Sequence, residues 1–145
     1  MANTDTDLMS GITAFEGKHF STASSLLGPL AEDGSEEAQF RMAIMCQNGL
    51  GMVANEDRAF KFMKAAAEQG YPLAQHGLGF MFMEGECTEK NPVAAVQWFE
   101  KAAAQGMMGS VTTLAMMYRQ GNGVEKDEQK ARELFEQAGF DPDEL

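Results

Sequence analysis

Residues 64–70 read KAAAEQG, and residues 101–106 read KAAAQG. Slid against itself, the chain holds a register of 36 residues around these two stretches. Gly34, Gly70 and Gly106 fall in one column, and Gly49, Gly85 and Gly121 in another. Ala23, Ala59, Ala95 and Ala131 align, as do Met42, Leu78 and Leu114. Met45, Met81 and Met117 follow them, then Cys46, Phe82 and Tyr118. A period of roughly 20–50 residues marks an array in which each supersecondary unit buries its apolar face against its neighbours.

Each unit reads as two helices. From Glu37 to Asn48 the apolar and small positions Ala38, Met42, Met45 and Cys46 recur at helical spacing. Gly49, Leu50 and Gly51 break that pattern, because glycine ends a helix at little cost where φ must become positive. Asn55, Asn91 and Asp127 stand at matching places as N-caps for the second helices, and Pro92 suits a first helical position. The second helices carry Ala59, Phe62, Met63 and Ala66, then Ala95, Trp98, Phe99 and Ala102, then Ala131, Leu134, Phe135 and Ala138. KAAAEQG and KAAAQG are therefore closing turns of equivalent helices. Their alanines allow close helix approach, and their glycines turn the chain into the next unit.

These residues resemble the Sel-one-like repeat, a relative of the tetratricopeptide repeat. The likeness is carried by Leu114-Ala115, Tyr118, Gly121-Asn122-Gly123-Val124, Asp127 and Lys130-Ala131, and by Trp98, Lys101-Ala102-Ala103 and Gln105-Gly106. It covers residues 37–138. Cys46 stands in place of the aromatic, Cys87 in place of a glycine, and the last unit lacks its closing Gln-Gly. Residues 5–34 keep the register as a further helix pair, with a short turn near Gly17-Lys18 closer to the tetratricopeptide version. The expected fold is all-α: a right-handed α-solenoid of about four antiparallel helix pairs, eight helices in all, forming one domain over residues 1–145. Its divisions are an N-terminal capping pair at 5–34, repeats at 37–72 and 73–108, and a third repeat with the C-terminal cap at 109–140. Terminal units must cover their apolar faces, and the polar DTD and DPDEL ends suit that role.

Composition agrees with a folded chain: 44% of residues are hydrophobic and 23% charged. The net charge of -11 repels a nucleic-acid backbone or an anionic membrane, and the eleven Lys and Arg are dispersed. No signal-like or membrane-length apolar run is visible, so a cytoplasmic setting is expected. Cys46 and Cys87 suit a reducing compartment. The resemblance implies that some secreted relatives carry one disulfide per repeat; these two cysteines lie in different columns.

Stacked helix pairs make an extended concave surface lined by first helices. At about 100° per residue, Phe40, Ile44 and Gln47 lie opposite the packing residues of the first full repeat. Their equivalents are His76, Phe80 and Met83, then Thr112, Met116 and Arg119. These nine are the candidate partner-binding residues. Ile44, Phe80 and Met116 form an apolar ladder one repeat apart, open to two readings: a groove for an apolar or amphipathic segment, or part of a continuous core.

The catalytic inventory is thin. His19 and His76 are the only histidines and have no metal-ligand spacing. Cys87, near Glu86 and Glu89, has its thiolate disfavoured by like charge. GNGV at 121–124 lacks the lysine and spacing of a phosphate loop. The expected function is a non-catalytic adaptor or scaffold without metal or cofactor, a monomer or weak homo-oligomer that binds a protein or peptide and neither nucleic acid nor membrane. The alternatives are a self-associating structural oligomer and, with less behind it, a hydrolase or enzyme accessory subunit.

Overall fold

The computed structural model describes residues 4–144. Among these residues there are eight α-helices and no strand: α1 (Thr4–Glu16), α2 (Phe20–Glu32), α3 (Glu36–Asn48), α4 (Glu56–Glu68), α5 (Pro72–Glu84), α6 (Pro92–Ala104), α7 (Met108–Gln120) and α8 (Glu128–Gln137). A 3-10 turn, Pro142–Glu144, follows. The described residues fall into two compact units, one ending at Ala74 and the other beginning at Gln75.

The helix boundaries have local causes that repeat with the sequence. Asn55, Asn91 and Asp127 accept a hydrogen bond from the backbone N–H three residues on, at 3.0, 3.1 and 3.0 Å. Ser35 does the same for Ala38 at 3.3 Å, a cap absent from the sequence reading. Each such cap satisfies an otherwise orphaned amide and contributes about 1 kcal/mol. Across the inter-helix loops, the Asn55, Asn91 and Asp127 amides bond the Cys46, Phe82 and Tyr118 carbonyls at 2.8, 2.7 and 2.9 Å. Gly49 and Gly121 end their helices at φ 67° and 70°.

The second glycine of each Gly-x-Gly has a different reason. A Cβ on Gly51 would lie 2.6 Å from the backbone carbonyl carbon of Phe20, and one on Gly123 would lie 2.6 Å from that of Pro92. The turn of one pair thus presses on the first residue of the preceding second helix. Cys87 occupies the matching column in α5–α6 and keeps the same left-handed backbone, φ 63°, without being glycine.

In the first unit α1 packs on α2, α2 on α3, and α3 on α4, around Ala23, Leu27, Met42, Met45, Cys46 and Ala66. In the second unit α6 packs on α7 and α7 on α8, around Val96, Phe99, Val111, Leu114, Met117 and Phe135. Of the alanines of the closing stretches, Ala66, Ala67 and Ala102 are buried, Ala65 and Ala103 are partly buried, and Ala104 is exposed. Gln69 and Gln105, aligned by the repeat, have a role that spacing did not disclose. Gln69 Nε2 donates to Gln39 Oε1 at 2.8 Å and to the Gly34 carbonyl at 3.0 Å, while buried Gln39 donates to the Ala31 carbonyl at 3.1 Å. Gln105 Nε2 repeats the first bond with Gln75 Oε1 at 2.9 Å. Position 111 is Val, so the third repeat has no such pair.

The register slips at the end of the array. Helix α8 has 10 residues where α4 and α6 have 13. Gly139 closes it at φ 90°, three positions before the column of Gly70 and Gly106.

Candidate functional site

The second unit gathers five of the nine candidate residues around α7. Met116 stands on the solvent face of that helix and is 48% exposed. On one side of it lies a cleft of about 340 Å³, lined by Phe80, Met83, Glu84, Lys90, Thr113, Met116, Met117, Gln120 and Asn122. On the other side lies a cleft of about 240 Å³, lined by Thr112, Met116, Arg119, Gln120, Phe135 and Phe140. The first volume lies near the lower limit usual for small-molecule sites, roughly 300–1,000 Å³, and the second lies below it.

Helical periodicity places these groups. Thr112, Met116 and Arg119 are successive turns of one stripe on α7, as His76, Phe80 and Met83 are on α5. Phe80 is half-buried, with its ring edge-on to Phe99 at 5.1 Å and to His76 at 4.9 Å. Its partner Phe99 is fully buried, and a Cβ on Gly79 would come within 2.7 Å of that ring. Glycine at 79 is what allows Phe99 to lie against α5.

His76 does not line either cleft. Its Nδ1 lies 2.7 Å from the buried Ser110 Oγ. Burial pushes its pKa below the usual histidine value. Ser110 is fully covered, so no substrate reaches that hydroxyl. Arg119 is held in place by Glu128 at 3.1 Å, and its guanidinium lies 4.7 Å from the centre of the Phe135 ring.

The other three candidates belong to the first unit. Phe40 and Ile44 are half-buried, and Gln47 is too. The Phe40 ring lies 5.6 Å from that of Tyr71, whose hydroxyl accepts from Arg41 Nη1 at 3.4 Å.

Sequence reasoning missed Phe135, Phe140, Lys90 and Asn122 as cleft residues. Phe140 follows Gly139 as Tyr71 follows Gly70, but the three-residue slip hid that equivalence. Its amide bonds the Phe135 carbonyl at 2.9 Å, and the two rings meet edge-on at 6.4 Å. An ion pair of 2.8 Å between Arg132 and Asp143 ties the terminal 3-10 turn to α8.

Among the described residues no three His, Cys, Asp or Glu side chains are placed to hold a metal, and no helix is long and apolar enough to cross a membrane. Both cysteines are free thiols. Burial raises the Cys46 pKa against the opposing pull of Arg58, and its Sγ–H donates to Met52 Sδ at 3.5 Å.

Known structures share this architecture. A protective antigen present in uropathogenic Escherichia coli strains, displaying an SLR fold, matches with a TM-score of 0.88 at 26% identity. That match covers 94% of this chain and 30% of the antigen, so this chain spans less than a third of that protein. A Sel1 repeat protein from Oxalobacter formigenes matches with a TM-score of 0.76 at 31% identity, over 79% of this chain and 88% of that one. Cysteine rich protein B of Helicobacter pylori, at 20% identity, shares the fold, with a TM-score of 0.64 over 83% and 86% of the two chains. No curated protein matches the sequence. The all-α solenoid of helix pairs expected from the 36-residue register is the fold class of these structures. The Sel1 repeat pattern itself matches residues 36–71, 72–107 and 113–139, and the chain belongs to the Sel1 repeat family.

Proposed function

We propose that this chain is a non-catalytic protein-interaction module that holds an apolar segment of a partner protein against the exposed face of α7. Sel1 repeat proteins generally mediate protein–protein interaction. The observation that carries the finer reading is Met116, a flexible thioether half open to solvent with a cleft on either side. Exposed methionine flanked by aromatic rings adapts to varied apolar anchors. The clefts supply pockets for alternate side chains, while Lys90, Asn122 and Gln120 supply a polar rim. The net charge of -11 favours a partner segment with basic flanks, through association rate more than through affinity.

The test uses the whole chain as bait in native lysate, beside Met116→Glu and Met83→Gln. Met116 is exposed, so its replacement should change stability by no more than about 0.5 kcal/mol. Proteins captured by the wild type and lost with both variants support the reading. The same proteins recovered by all three baits would refute it.

A further inference from the structure

We infer that the cleft lined by Thr112, Met116, Arg119, Phe135 and Phe140 repeats the α5 face that receives α7, and that it seats a helix of a partner protein. This inference rests on the protein-interaction reading above and names the partner's chemistry at one of the two clefts beside Met116.

The interface to be continued lies within the second unit. Helix α7 docks on the stripe of α5 made by His76, Phe80 and Met83. Ser110 meets His76 there, a Cβ on Gly109 would touch the His76 ring at 3.3 Å, and Thr113 and Met117 face Phe80 and Met83 across the larger cleft. One repeat later the same stripe consists of Thr112, Met116 and Arg119, with Phe135 in the place of Phe99. No described helix covers it. That is why Met116 is 48% exposed although its equivalent Phe80 is half-buried.

The chain begins to fill this seat itself. Counted from the closing glycine, Pro142–Glu144 stands where Leu73–Gln75 form the first turn of α5. Pro142 is buried, and the Arg132–Asp143 pair holds the turn. What stays open is the seat of the following two turns. In the internal first helices of each unit those turns bring a methionine at the tenth position, Met45 in α3 and Met117 in α7, which are 0% and 1% exposed. The fitting occupant is therefore a short amphipathic helix with a small or hydroxyl residue and, one turn later, a methionine or leucine, like Thr113 and Met117.

A second copy of this chain fits less well. The outward face of α1 places Thr6 and Thr13 at the third and tenth positions, both exposed, where α7 has Ser110 and Met117. Its open cleft is lined by Thr6, Met9, Ser10, Thr13, Ala14 and His19, so an apolar seat would meet hydroxyls at three of six positions, with exposed Met9 the one large apolar side chain.

The probe is a stapled helical peptide with the sequence of Met108–Gln120, titrated against the whole chain by fluorescence anisotropy, with light scattering at the same concentrations. Saturable binding is expected, weakened about tenfold or more by Met116→Glu or Phe140→Ala in the protein and by Met117→Glu in the peptide. Unchanged melting temperatures show that both protein variants are folded. No saturable binding up to about 1 mM, the limit of a meaningful contact, or equal affinity for the variants would overturn the inference. So would self-association of the wild type abolished by Met116→Glu, which gives the face to a second copy. Loss of partner capture in Met83→Gln, with no peptide binding, would overturn this inference alone and leave the function standing.

Discussion

Substituting Gly79 by alanine sets two effects of similar size against each other. Glycine in a helix interior costs about 1 kcal/mol relative to alanine, so propensity alone predicts stabilisation. At this position the new methyl carbon would lie 2.7–2.9 Å from three atoms of the Phe99 ring. That ring is fully buried between its own helix and the edges of His76 and Phe80, so it has no open side to move toward. Overpacking of this kind costs about 1–3 kcal/mol. The packing term wins, with a net loss of about 1 kcal/mol and a melting temperature lowered by about 2–4 °C. The assay is thermal unfolding by circular dichroism on Gly79→Ala, Phe99→Leu and the double variant. Because the clash is with the aromatic ring, the double variant should be less destabilised than the sum of the singles, by about 1 kcal/mol. A higher melting temperature for Gly79→Ala, or strict additivity in the cycle, would refute the close packing of Phe99 on α5.

Three further outcomes follow from the repeat's details. Cys87→Gly should raise stability by about 1 kcal/mol, because a left-handed backbone at φ 63° penalises every residue with a Cβ; urea unfolding checks it, and Cys87→Val should lower the midpoint. Gln39→Leu, which removes the bonds to the Ala31 carbonyl and from the Gln69 amide while Gly34 still bonds both groups, should cost about 1–3 kcal/mol for the two bonds, whereas Gln69→Ala at an exposed site should cost less than about 1 kcal/mol. The pKa of His76 is lowered by burial, so the unfolded chain takes up its proton first as pH falls. Its contribution is therefore complete above the ordinary histidine pKa of about 6.5 and is lost below it. Melting scans at about pH 7.5 and 5.5, either side of that value, should show a drop that is smaller in His76→Asn; an equal drop in both proteins would assign it to other groups.

Much of the fold could be read from glycine, proline and capping residues, because their effects act within a few residues of chain. Asn55, Asn91 and Asp127 cap the helices they precede whatever packs around them, and Gly49 and Gly121 end theirs. Ser35 escaped notice only because nothing at its equivalents, Tyr71 and Met107, repeats it. The candidate site was legible as a stripe and not as a shape. Helical spacing put Thr112, Met116 and Arg119 on one line. It could not show that His76 turns to Ser110 or that Arg119 lies on Phe135 and is paired with Glu128, since those contacts join residues far apart in the chain.

The amino-acid sequence by itself determined the helical repeat, its period, its caps and the family, because each is a local or periodic property of the chain. The tertiary structure alone decided which ladder residues stay open. Phe80 and Met116 are equivalent by every measure of spacing, yet one lies beside α7 and the other has no described helix over it. Exposure depends on what comes next in space, and the three-residue shortening of α8 put Phe140 beside Met116, whereas a strict period would have left residue 140 in the column of Ala104.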